Sequence, residues 1–132
     1  MKDIYLNKSL PEILKEIKKK KIDLKSLFDE TTKKYKIYQN KIHAWKSFDK
    51  KIYQRKIKLS KNKYNLGTAS SLEGIPFGVK DIFNTINFKT EMGSKIWKNF
   101  QPGNNARVVD TLEDSGAITV GKTVTAEYAV HK

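Results

Sequence analysis

The sequence predicts an α/β fold, with N-terminal amphipathic helices leading into the start of a mixed sheet flanked by helices. Three observations carry that prediction. Apolar residues in the first half recur at helical spacing. Two short apolar runs in the second half read as strands with a helix between them. Hydrophobic residues make up 38% of the 132 positions, enough to build a core rather than a disordered chain.

The first helix begins at Ser9-Leu10-Pro11-Glu12, a capping-box pattern in which a hydroxyl and a carboxylate satisfy free backbone amides. Leu10, Ile13, Leu14 and Ile17 follow on one face. Lys18 to Lys21 close the helix, where cations suit the negative end of the backbone dipole. Asp23 is placed to cap a second helix with the stripe Leu24, Leu27, Phe28, Thr31, Tyr35 and Tyr38. A weaker third helix spans 49–59, with Ile52 and Ile57 on one side. Single apolar stripes need a surface to cover them, so these lysine-coated helices read as an outer layer.

Residues 60–71 are polar and read as a loop, which sets the division: a basic helical N-terminal segment, 1–66, and a second unit, 67–132. In that unit, Leu72 to Val79 is a strand broken by Gly and Pro. Residues 106–115 form a helix with Val108, Val109 and Leu112 inward, and Gly116 ends it. Ala117 to Val120 is a fully apolar strand of the buried parallel type.

All the excess charge lies in the first unit. Residues 1–66 carry 20 Lys/Arg against 7 Asp/Glu, while residues 67–132 carry 7 of each, which accounts for the net +13. A basic half suits a nucleic-acid-binding module or an acidic membrane surface. Only Arg55 and Arg107 supply the forked side chain that phosphate and base recognition favours, so a lysine-rich solvated surface is the better reading. There is no cysteine, no apolar leader after Met1 and no apolar run of membrane-spanning length, and a cytoplasmic location with no membrane partner is expected.

Gly116-Ala117-Ile118-Thr119-Val120-Gly121-Lys122-Thr123 satisfies the phosphate-loop pattern letter for letter. Its context does not. The first Gly follows a helix, and the residues between the two glycines are themselves a strand, which cannot wrap a phosphate. Gly121-Lys122-Thr123 is read instead as the turn leaving that strand.

Lys80 stands out chemically. It follows the apolar run Ile75 to Val79 and precedes Asp81. A lysine at the end of a buried strand is costly unless it is paired, points to water or is neutral through desolvation. The neutral form can act as a general base. Asp81 is the candidate partner.

The words around Lys80 carry a resemblance. LEGIPFGVKDIFNT, TEMGSKIW and ARVVDTLEDSGAITVGKTVTAEYA resemble the amidase signature family, in the same order and at similar spacing, over residues 72–132. Thr90, Gly93 and Ser94 match its T-x-x-G-S turn, and Gly121-Lys122-Thr123 with Glu127-Tyr128 match its G-K-T-x-x-x-E-[FY] segment. The resemblance implies that Lys80 is the base of a Ser–cis-Ser–Lys triad that cleaves a linear amide C–N bond without metal or organic cofactor. The implied partner is a small-molecule amide, with a homodimer as one open assembly. Val124 stands where the A subunit of the tRNA-dependent amidotransferase usually has Asn. The wording is therefore more similar to general amidases, and the amidotransferase is the alternative.

The family's two serines follow the E-[FY] segment, and no Gly/Ser-rich loop follows Tyr128 here. The chain is therefore expected to be a truncated N-terminal portion that supplies only the lysine and is itself inactive. Ser70, Ser71 and Ser94 lie in other segments and are not substitutes. His43 and His131 have no second ligand at metal spacing, and Trp45 and Trp97 read as packing residues.

Overall fold

A computed structural model describes residues 8–130; His131 and the first seven residues lie outside it. The chain runs α1 (Leu10–Lys18), α2 (Leu24–Ile42), β1 (Trp45–Phe48), α3 (Lys50–Leu66), β2 (Pro76–Lys80), α4 (Arg107–Asp114) and β3 (Ile118–Thr123). Single 3-10 turns occupy Lys95–Trp97 and Glu127–Ala129. The mixed α/β architecture is the one the sequence predicts.

The helix starts follow local chemistry. Glu12 turns back to accept the Ser9 amide at 2.6 Å and the Ser9 hydroxyl at 2.7 Å, and the expected capping box is present. Asp23 occupies the N-cap position of α2, but its side chain accepts no capping hydrogen bond. Asp49 caps α3 in full, its Oδ1 accepting the Ile52 amide at 2.9 Å.

β3 lies in the middle of a three-stranded sheet ordered β1-β3-β2. It pairs parallel with β2, as expected, and antiparallel with β1. β1 was not anticipated. Its four residues, Trp-Lys-Ser-Phe, are too few to show a period. It depends instead on a side chain: the Gln39 amide donates to the Trp45 carbonyl at 2.9 Å and accepts from the Trp45 amide at 3.0 Å. The left-handed His43 cap turns the chain out of α2 into this strand.

Four expectations need correction. Leu72 to Gly74 lies in a turn, and the strand expected from Leu72 begins only at Pro76. Residues 60–66 are the last turns of α3, which stops only at Gly67 in the left-handed conformation, φ 71°. Lysines and asparagines made this stretch look like a loop, yet Ser60 and Ile57 are buried on the helix's inner face. Val108 is half exposed while Val109 is buried. In an eight-residue helix only one narrow stripe reaches the core, and Val108 sits off it. Gly121-Lys122-Thr123 is no exit turn but the end of β3 itself.

The core joins both halves of the chain. Ile13, Ile17, Leu24, Leu27, Phe28, Tyr53 and Ile57 from the helices pack on Ile118 and Val120 of β3. Phe28 and Tyr53 meet ring to ring at 5.1 Å, worth about 1 kcal/mol beyond their buried area. Tyr35 stacks on Phe48 at 4.2 Å and fixes α2 against β1.

β1 can lie against β3 only because residue 121 has no side chain. A Cβ there would sit 2.1 Å from the Ser47 carbonyl oxygen. Gly121→Ala is expected to destabilise the chain by about 3 kcal/mol or more, through overpacking that backbone cannot relieve. Gly103→Ala, where nothing lies within 4 Å, is the matched control and should leave the urea midpoint unchanged.

Candidate active site

Lys80 is the last residue of β2, opposite Thr123 of β3. Strand alternation puts Lys80 and Thr123 on one face of the sheet, with Val79 and Lys122 on the other. Val79 and Lys122 are buried and Lys80 is exposed. Among the described residues Lys80 makes no side-chain hydrogen bond or ion pair, so of the readings open to it the structure selects the one that points to water.

The buried lysine is Lys122, fully enclosed at 0% exposure. Its ammonium donates to the Phe83 carbonyl at 2.7 Å, the Thr90 hydroxyl at 2.7 Å and the Lys89 carbonyl at 3.4 Å. It also lies 3.1 Å from Asp81 Oδ1. Asp81, itself buried, is thus the partner of Lys122 and not of Lys80. Burial pushes the Lys122 ammonium below its usual pKa of 10.5, while the hydrogen bond and charge of Asp81 pull it back up.

Asp81 ties three segments together. Its amide donates to the Thr123 carbonyl at 2.9 Å, and its own carbonyl accepts the Met92 amide at 2.9 Å. Its Oδ2 accepts the Glu91 amide at 3.2 Å. Met92 and Gly93 both have positive φ, at 53° and 68°. That turn presses so closely on the chain after β3 that a Cβ on Gly93 would lie 2.8 Å from the Thr125 carbonyl oxygen. The Met92 carbonyl accepts the Tyr128 amide at 2.9 Å, and Tyr128 is again left-handed, φ 51°. Non-glycine residues held at positive φ cost about 1–3 kcal/mol each, so the surroundings must impose them.

The three sequence motifs therefore meet in space. GVKD supplies Lys80 and Asp81, TEMGS supplies Thr90 to Ser94, and GKTVTAEY supplies Lys122 and Tyr128. Ser94 is buried, and its hydroxyl has no partner among the described residues. Glu91 is anchored at the rim by the Lys46 ammonium and the Asn99 amide, the latter 2.8 Å away. These contacts hold its carboxyl below the usual range, the Lys46 bond first. Ser70 lies elsewhere, its amide bonded to Glu73. Among the described residues no group of three or more His, Asp or Glu gathers as a metal site. No helix there is long and apolar enough to cross a membrane.

Sequence reasoning singled out Lys80 and missed Lys122, although the signal was present. A lysine inside the apolar run Ala117 to Val124 must find a buried partner. The false phosphate-loop pattern drew attention from it.

The profile of the family described as Amidase matches residues 27–132. The chain belongs to the amidase family. This amidase-family chain is similar to the A subunit of the mitochondrial glutamyl-tRNA(Gln) amidotransferase of Dictyostelium discoideum. The two are 42% identical over 96 residues, covering 72% of the chain and 18% of that protein. It is 31% identical over 123 residues to the same subunit of Geobacillus kaustophilus, covering 92% and 25%. The chain thus spans about a quarter or less of the length of these relatives. Among solved structures, the peptide amidase of Stenotrophomonas maltophilia superposes with a TM-score of 0.86 at 21% identity, over 94% of this chain and 26% of that one. A bacterial aryl acylamidase of the amidase signature family gives 0.82 at 18%, over 92% and 26%. The fold is that of the amidase signature enzymes.

Two outcomes test the buried pair in this amidase-family chain. Asp81→Ala strands the Lys122 charge and should cost about 3–5 kcal/mol, read from urea unfolding. The pH dependence has a definite sign. Because Lys122 binds its proton more weakly folded than unfolded, the unfolded chain holds the extra proton between the lowered value and 10.5. Stability relative to Lys122→Met should therefore rise with pH across that window, and a fall would contradict the assigned burial.

Proposed function

We propose that this chain is the lysine-bearing portion of an enzyme that cleaves an amide C–N bond, with Lys80 as the proton acceptor. The observation that carries the reading is the convergence of the three motifs around the end of β2. The exposed Lys80 stands on a strand end whose next residue is pinned by buried contacts. A surface lysine of no consequence would not need so costly a foundation.

In the chemistry the family resemblance implies, a serine oxygen attacks the amide carbonyl and its proton passes through a second serine to the Lys80 amine. The lysine then returns a proton to the leaving amine, and water releases the acyl group. Both serines would come from residues outside these 132, so the isolated chain is expected to turn over no amide. Neither metal nor organic cofactor enters this scheme. The substrate class is a linear amide.

A second reading is the A subunit of a tRNA-dependent amidotransferase. The 42% and 31% identities to A subunits of glutamyl-tRNA(Gln) amidotransferases favour it, against the Val124 wording that favours a general amidase. That role would require partner subunits and a supply of glutamine or ammonia. The basic surface of 1–66 would suit a tRNA neighbour.

Ammonia release from glutamine and from simple linear amides separates the readings, using the protein expressed from its complete reading frame. Release from simple amides by the protein alone supports a general amidase; release from glutamine only with partner subunits supports the amidotransferase. In either case Lys80→Ala should lower turnover by about 100-fold or more. In the 132-residue chain it should shift the unfolding free energy by no more than about 0.5 kcal/mol, because Lys80 is exposed and makes no side-chain bond among the described residues. Unaltered turnover in Lys80→Ala would sink the proposal.

A further inference from the structure

We propose that Lys122 is a positioning residue for Lys80, acting through Asp81, an assignment that rests on the catalytic reading of Lys80. Nothing at the Lys80 side chain itself fixes it among the described residues. Its placement is set by its backbone alone, and the peptide that follows it belongs to Asp81. Asp81 is held on one side by the Lys122 ammonium at 3.1 Å and on the other by the Glu91 and Met92 amides at 3.2 and 2.9 Å. The Asp81 amide closes the link at the Thr123 carbonyl, one residue beyond Lys122.

Lys122 is suited to this role by its other three contacts. The Phe83, Lys89 and Thr90 oxygens all belong to the loop that leaves Lys80 and returns at the TEMGS turn. One ammonium therefore fixes both ends of the excursion, 81–83 and 89–90. A thioether or alkyl chain of the same length would fill the space and hold none of these oxygens. The exposed base would then stand on a loop free to drift. A drift near 1 Å is enough to cost about 100-fold in rate when reacting groups must be aligned.

The role predicted here differs from that of a charge that merely neutralises Asp81. In that bland case, removing both charges together would restore everything. The test compares Lys80→Ala, Lys122→Met and the double variant Lys122→Met/Asp81→Asn in the protein expressed from its complete reading frame. Unfolding midpoint, kcat and KM are read for each. Lys122→Met should lose kcat about 100-fold with KM little changed. The double variant should regain only the part of the unfolding midpoint lost to the stranded Asp81 charge, while kcat stays low. If kcat returns in step with the midpoint, Lys122 only balances a charge and the inference is overturned.

A readout independent of turnover keeps the two claims apart. With lysines reductively methylated with a 13C label, the Lys80 resonance should shift and broaden in both Lys122 variants, while that of Lys25, paired with Asp29 on α2, stays in place. An unmoved Lys80 resonance would overturn the positioning role even if Lys80→Ala proves inactive. A moved resonance with turnover intact in Lys80→Ala would instead uphold the positioning and remove the catalytic reading.

Discussion

The structure turns on one buried ion pair, Lys122 with Asp81. A lysine at 0% exposure and a carboxylate at 1% would each be prohibitively costly alone. Together, and with the oxygens of Phe83, Lys89 and Thr90, they make a buried polar network at the end of the sheet. Such networks rarely add much net stability over an apolar packing of equal volume. Their effect is on uniqueness. The loop between β2 and the TEMGS turn buries Thr85 and Phe88, and the network ties both of its ends to one ammonium.

Around that network the apolar packing sets the frame. α2 and α3 press on β3, the central strand, and β3 presents its apolar residues to them and Lys122 to the loop. Gly121 lets β1 close over the sheet at a separation no side chain would permit. The frame therefore fixes the height of β3, β3 fixes β2 by parallel pairing, and the end of β2 fixes Lys80. The placement of Lys80 is inherited from a chain of constraints that begins in the helical layer.

Much of this was legible in the sequence, for identifiable reasons. The stripes of α1 and α2 and the apolar run of β3 have the periods that burial imposes, and the elements form there, with β3 running on through Thr123. The parallel pairing of β2 and β3 follows from strand, helix, strand order. Elements whose existence depends on a distant partner were not legible. β1 is held by the Gln39 side chain and by β3, neither of which leaves a local pattern. The end of α3 looked like a loop because its exposed face is lysine and asparagine, while its inner face carries only Ser60 and the half-buried Tyr64 beyond Ile57. At the candidate site, the GVKD motif singled out Lys80. Lys122 was visible only to the argument that a lysine in an apolar strand needs a partner, and the sequence does not say that the partner is Asp81.

The most direct test of the central claim is native-state hydrogen exchange of the Asp81, Glu91 and Met92 amides in the unaltered chain. Their acceptors are the Thr123 carbonyl and the Asp81 carboxylate and carbonyl, all within the network. If the buried pair unifies this region, the three amides should exchange through one common opening, with a free energy close to that of global unfolding. Exchange at three different rates, each near that of an exposed loop, would mean that the motifs are neighbours only and that nothing holds Lys80 in register.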